Sequence, residues 1–204
     1  MNWYSKFIFP RICDLLLGSD IVTERRKQIL TEAKGRILEI GLGTALNLPC
    51  YPAEVRKITT VDPNPGMHRL AHRRIKETGV EVDHRPIGVE QLPFDDHSFD
   101  CVVSTFTLCS IFAVERAMGE VHRVLRPGGV FLFLEHGLSP DSNVQKWQQR
   151  LNWLQQRLAD GCHLDRDIER LVAGQPFATF TSEKSYLEKT PKTHGYLYQG
   201  TAVK

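Results

Sequence analysis

Glu39, Gly41, Gly43 and Asp62 are the residues of this sequence whose types and spacing can do chemistry together. The run Glu39-Ile40-Gly41-Leu42-Gly43-Thr44-Ala45-Leu46-Asn47 follows directly on apolar residues, and glycines placed there let the backbone come close to a ligand. The dinucleotide fingerprint G-x-G-x-x-G fails, because Leu46 stands at the third glycine position. One acid two residues before the first glycine and another at the end of the next apolar run bracket a ligand of nucleoside type. There, Asp62 can accept two hydrogen bonds from vicinal ribose hydroxyls. His136 follows a strongly apolar run, at the place where open α/β sheets bind ligands, and is the histidine best placed to act as a base. Its alternative is a structural hydrogen bond to a neighbouring loop. His163, beside Cys162, is less well placed, and Cys109 reads as a wall residue with no base partner near it in sequence.

These residues need a scaffold, and the chain from residue 36 alternates short apolar runs with helical periods, as mostly parallel sheets with crossover helices do. Strands are expected at residues 36–40, 58–62, 80–84, 99–104 and 130–134. Helices are expected at 65–77, with Met67, Leu70, Ala71 and Ile75 on one face, at 114–124, and at 139–159. Arg126-Pro127-Gly128-Gly129 has the residue types that stop a helix and turn the chain. Segments 177–187 and 194–203 read as an antiparallel pair at the sheet edge.

The 204 residues suit one domain, and a balance of 26 basic against 24 acidic residues does not advertise a polyanionic partner, so nucleic acid is not expected. Five cysteines without a C-x-x-C pair suggest neither a disulfide framework nor a zinc knuckle, and reduced thiols point to the cytoplasm. No apolar run approaches the roughly 18 residues of a membrane span, so neither export nor spanning is expected. Trp3, Phe7, Ile8, Ile12, Leu15 and Leu16 fall at roughly helical spacing. That pattern suits a helix packed on its own core, a cover for a cleft, or peripheral contact with a membrane surface.

The glycine loop and Asp62 have company further along. Val61-Asp62-Pro63-Asn64, Val89-Glu90-Gln91-Leu92-Pro93-Phe94 with Ser98-Phe99-Asp100, and Glu120-Val121-His122-Arg123-Val124-Leu125-Arg126-Pro127-Gly128-Gly129 follow in order. In these blocks, over about residues 33–135, the sequence resembles the class I methyltransferases that use S-adenosylmethionine. Ser104-Thr105-Phe106-Thr107-Leu108-Cys109-Ser110-Ile111, Phe133-Leu134-Glu135-His136, Asp160-Gly161-Cys162 and Thr201-Ala202-Val203-Lys204 narrow the likeness. They resemble the membrane-associated members that methylate alkyl thiols, without the long hydrophobic N-terminal anchor those members carry.

The resemblance implies an α/β, Rossmann-like doubly wound, mostly parallel seven-stranded sheet with an antiparallel edge strand. It implies a single methyltransferase domain over 1–204, with a helical lid at 1–33 and a cofactor core with substrate-loop insertions at 34–204. Gly41 and Gly43 would lie against the methionine part of S-adenosylmethionine, Asp62 would hold the ribose, and Pro63, Asn64 and Met67 would border the adenine. Glu39 would fix the loop and the cofactor ammonium, or only cap loop amides. An acid often found facing adenine is Gly88 here, so that role passes to backbone around Gly88 and Val89 or to Glu90. Ser104 completes the implied cofactor set, and His136 would serve as base toward a thiol acceptor. The implied function is methyl transfer to a small molecule, with a thiol first. The rivals are methylation at oxygen, nitrogen or carbon of a quinone or lipid, and a cofactor-binding partner subunit without turnover. A dehydrogenase using NAD leaves the Leu92-Pro93-Phe94 and Pro127-Gly128-Gly129 blocks unexplained.

Overall fold

The computed structural model describes residue 4 and residues 7–204, apart from the side chains of 65–68. Trp3 therefore lies outside the described residues. Among the described residues two helices, α1 (Phe9–Leu17) and α2 (Asp20–Leu30), precede the sheet where one N-terminal segment was expected. Then come β1 (Ile37–Ile40), β2 (Lys57–Val61), α3 (Pro65–Thr78), β3 (Glu81–Arg85), β4 (Phe99–Thr105) and α4 (Val114–Val124). The chain continues through β5 (Leu125–His136), α5 (Ser142–Leu158), α6 (Ile168–Ala173), β6 (Thr179–Tyr186) and β7 (Tyr196–Val203).

The seven strands form one sheet in the order β3-β2-β1-β4-β5-β7-β6. Only β7 runs against its neighbours, and it lies one place in from the edge, between β5 and β6. Along β4 and β5 alternate side chains enter opposite layers. Val102, Phe131 and Phe133 pack with α4 and α6, whereas Cys101, Val103, Leu132 and Leu134 pack in the layer that holds Ile29 and Leu30 of α2. Burial on both faces explains why these strands read as continuous apolar runs. The chain steps outward from β1 to β3 and then returns to β4 on the other side of β1, so the crevice between the carboxyl ends of β1 and β4 is the switch point where such sheets bind ligands.

Three local expectations differ from the structure. Arg126-Pro127-Gly128-Gly129 does not form a separate turn but opens β5 as a bulge, with the register shifting between Phe99 and Cys101. Gly128 takes a φ of 75° and donates its N–H to the Lys204 carbonyl (2.7 Å), while Lys204 N–H returns to Gly129 O (3.0 Å). Pairing with the last residues of the chain, invisible to local pattern, keeps the segment in the ladder. Helix α5 starts at Ser142 rather than 139, because the Asp141 carboxylate caps it by accepting from Asn143 N (2.8 Å) and Val144 N (3.4 Å). The short α6 was not expected; its Ile168 and Val172 are buried.

Candidate functional site

The loop after β1 folds over the end of β2 and closes one side of a cleft of about 350 Å³. Gly41 and Gly43 line it from that loop, and Glu39 from the end of β1. Asp62, Pro63 and Asn64 line it from the end of β2, and Gly88, Val89 and Glu90 from the segment after β3. These nine residues, read from separate places in the sequence, meet in one cavity. Met67 lies on α3, but its side chain is outside the described residues. Ser104 does not reach the cleft: it is fully buried and donates its hydroxyl to Glu135 Oε1 (2.7 Å). His136 is not among the lining residues either. Its Nε2 lies 3.1 Å from Cys162 Sγ, and its ring stacks behind Phe106 with centroids 6.5 Å apart.

Asp62 is held by backbone. Its Oδ2 accepts from Gly43 N and its Oδ1 from Asn64 N, both at 2.8 Å, so the carboxylate has a fixed orientation at the carboxyl end of β2. Gly41 has a φ of 74°, and a Cβ there would collide with the Thr107 side chain. Only glycine keeps this backbone where it is. Thr107 is in turn fixed by Glu135, whose Oε1 and Oε2 accept its N–H at 3.1 and 2.9 Å.

Glu39 sits at the floor of the cleft, almost without exposure. Its Oε1 accepts from Asn47 Nδ2 (3.0 Å) and its Oε2 from the Tyr51 hydroxyl (2.7 Å). Burial pushes its carboxyl up to about 7, against these two hydrogen bonds and the charge of Arg26. Arg26 is itself buried, which brings its guanidinium down to about 10. Its Nε donates to Asn47 Oδ1 (3.0 Å), its Nη1 to Leu17 O (2.6 Å), and it lies 5.4 Å from the centre of the Phe106 ring. Sequence reasoning missed Arg26, Tyr51 and the part of Asn47 in this chain of contacts. Of these only Asn47 stood in the quoted loop.

Helix α1 covers the cleft with Phe9, Cys13 and Leu17, spaced four apart on one face. Asp14 fastens it to α3, accepting from Arg74 Nη1 at 2.6 Å and Nη2 at 3.3 Å, and Arg74 Nη1 also donates to Thr44 O in the glycine loop (2.9 Å). Burial pushes the Cys13 thiol up to about 12, so it stays neutral. The opposite wall is apolar, with Phe106, Ile111 and Phe112. Phe106 takes a φ of 52°, held by its N–H on Leu134 O (2.9 Å); a strained aromatic residue facing a cleft is characteristic of ligand sites.

The donor set fits S-adenosylmethionine. The fixed Asp62 carboxylate suits a ribose, the glycine cradle would be filled by any side chain, and the buried Glu39 carboxylate lies where a cationic amino-acid group would neutralise it.

A sequence family described as a methyltransferase domain matches residues 38–133. The chain is 39% identical to human thiol S-methyltransferase TMT1A over 146 residues, 70% of this chain and 59% of that protein. It spans between 58% and 66% of the length of the thiol S-methyltransferases it matches. It is also 31% identical to phosphatidylethanolamine N-methyltransferase of Cereibacter sphaeroides over 166 residues, 80% of this chain and 77% of that one. Among solved structures, a SAM-dependent methyltransferase of Thermotoga maritima superposes with a TM-score of 0.70 at 19% identity, covering 98% of each chain, which is a likeness of fold.

Proposed function

The chain belongs to the S-adenosylmethionine-dependent methyltransferase family, and on that premise we propose that it moves a methyl group from S-adenosylmethionine to a small apolar acceptor, a thiol foremost. The observation that carries the reading is the Asp62 carboxylate, locked by Gly43 N and Asn64 N in the cleft that also holds Glu39 and the Gly41 cradle. When bound, the cofactor supplies a methyl carbon already activated by its sulfonium, so no protein nucleophile is required.

The residues then have positional work. Asp62 would accept from the ribose, and the Gly41–Gly43 backbone would lie against the amino-acid part. Glu39 would hold the ammonium while Tyr51 and Asn47 keep its carboxylate oriented. Glu90 would face the adenine: its Oε2 lies 2.5 Å from where a Cβ on Gly88 would stand, so its carboxylate folds back over that glycine. Phe9, Leu17 and Phe106 exclude water and, with Phe112 at the rim, leave room for an apolar acceptor.

Methyl transfer to sulfur needs a thiolate. Because His136 Nε2 is engaged with Cys162 and its ring stands behind Phe106, we assign it to the wall of the site rather than to proton transfer. The thiol then ionises in water before it enters.

The thiol preference is supported by the likeness to thiol S-methyltransferases and by the apolar wall. A second reading, methylation of a lipid amine, draws on the exposed rim of Leu15 (80% exposed), Leu16 (65%) and Phe112 (95%), which suits an acceptor with hydrocarbon chains. A panel of apolar thiols, aminolipids and quinols with methyl-labelled cofactor tests both. Label in a thiol is the expected result, and label confined to aminolipids overturns the thiol assignment.

A further inference from the structure

Three side chains unused by the proposed methyl transfer converge behind Phe106. Cys109 stands on the single turn Leu108–Ser110, His136 at the end of β5, and Cys162 in the loop after α5. One donor atom from each lies within 4.8 Å of the other two, and His136 Nε2 is 3.1 Å from Cys162 Sγ.

Hydrogen bonding gives little reason for this convergence. Thiols are weak donors and acceptors. The two thiols bond each other, and their remaining contacts are single weak ones: Cys109 Sγ to Phe106 O at 3.8 Å and to Ser110 Oγ at 3.5 Å, and Gln155 Nε2 to Cys162 Sγ at 3.6 Å. His136 Nδ1 is buried with no partner, so the imidazole makes its one polar contact through Nε2, to the cysteine cluster.

We propose that Cys109, His136 and Cys162 form a binding site for a thiophilic cation, Zn²⁺, that ties together the acceptor-side wall of the cleft. Two sulfurs and an imidazole nitrogen are a borderline-soft donor set, and the cluster offers no carboxylate or carbonyl cage for Mg²⁺ or Ca²⁺. Zn–S bonds of about 2.3 Å and a Zn–N bond of about 2.0 Å put tetrahedral donors about 3.5–3.8 Å apart. His136 Nε2 and Cys162 Sγ, at 3.1 Å, would part slightly, and Cys109 Sγ lies within 4.8 Å of both, adjustments within the reach of side chains. Binding releases two thiol protons to water. The dication, two thiolates and a neutral imidazole then sum to no charge, which a buried site tolerates. Three protein donors leave the fourth tetrahedral position to a water molecule.

The three ligands come from segments far apart in sequence that already touch through His163 N–H on Cys109 O (2.9 Å). These segments flank Phe106, Ser110 and Ile111, which line the cleft, so a cation here would fix the wall that receives the acceptor.

The test uses the reduced, chelator-treated chain and Co²⁺ as probe, with no cofactor or acceptor present, so its outcome is independent of methyl transfer. One equivalent of Co²⁺ is expected to give thiolate-to-cobalt charge transfer and tetrahedral d–d absorption, both lost when one equivalent of Zn²⁺ is added. Cys109→Ser, Cys162→Ser and His136→Ala are each expected to abolish the bands, while Cys50→Ser keeps them. Absence of the bands in the parent, or their survival in the cluster variants, overturns the proposal. Where a cluster variant fails to fold, alkylation mapping of the parent decides: Zn²⁺ is expected to protect Cys109 and Cys162 together, and protection of other cysteines or of none overturns the site.

Discussion

The Tyr51 hydroxyl donates to Glu39 Oε2 across 2.7 Å, and this contact works against the burial that pushes the Glu39 carboxyl up to about 7. The two effects set the charge at the floor of the cleft within the physiological range. A carboxyl held above its ordinary 4.5 binds its proton more tightly in the folded state. Without cofactor, this group therefore makes stability fall as pH rises from about 4.5 to 7, and adds nothing further above that. With Glu39 at the ammonium, cofactor binding is expected to have the opposite slope, since the ammonium prefers the ionised form. Affinity for S-adenosylmethionine is expected to rise with pH through about 7 and then level. Calorimetry across this range checks it, and Tyr51→Phe is expected to move the rise to higher pH. An affinity indifferent to pH in the parent would remove Glu39 from the ammonium site.

Asp62→Ala is expected to weaken cofactor binding at least about tenfold. Charge-assisted hydrogen bonds are worth about 1.5–3 kcal/mol each, and the substitution also releases Gly43 N and Asn64 N. The fold persists because the residue ends a strand. Isothermal titration with S-adenosylhomocysteine measures the loss, and parent-like affinity would reject the ribose role.

Gly41→Ala combines a φ of 74° with a collision against Thr107, so a loss of about 1–3 kcal/mol of stability and of most cofactor affinity is expected. Adding Thr107→Ala is expected to recover part of the stability but not all, because the backbone strain remains. Denaturant unfolding of both variants separates the two contributions, and no destabilisation in the single variant would contradict the tight cradle.

Phe112 lines the cleft yet is 95% exposed, so its ring has little to do with folding. Phe112→Ala is expected to raise KM for an apolar acceptor about tenfold, in keeping with the roughly 1.5–3 kcal/mol of a buried aromatic ring. The melting temperature and cofactor affinity are expected to stay at parent values. An unchanged KM would take Phe112 out of the acceptor path.

The glycine loop and Asp62 were legible in the sequence because each is a local event at the end of a strand, where residue type and backbone geometry are tied within a few positions. The residues after β3 were legible only through the resemblance. Arg26 and Tyr51 were not, since a buried arginine on a charged helix and a tyrosine beyond a turn become site residues only through contacts across 21 and 12 positions of chain. Ser104 failed for a related reason. The resemblance put it in the cofactor set, but the pleat aims it at Glu135. His136 shows the limit of reading by strand end: the position is right for a ligand, but Phe106 stands in front of the ring.

The two fastenings of α1 differ in kind. Asp14 and Arg74 meet at a partly solvated ion pair, with side chains 35% and 27% exposed, whereas the Leu17 carbonyl is gripped by the buried Arg26. Dissolved ions reach the first and not the second, with screening over about 8 Å at physiological strength. Both grips fall near the carboxyl end of α1, three residues apart, so added salt weakens one hold on that turn and leaves the other in place. Rising ionic strength is therefore expected to slacken the tie between α1 and α3 while the helix keeps its place over the cleft.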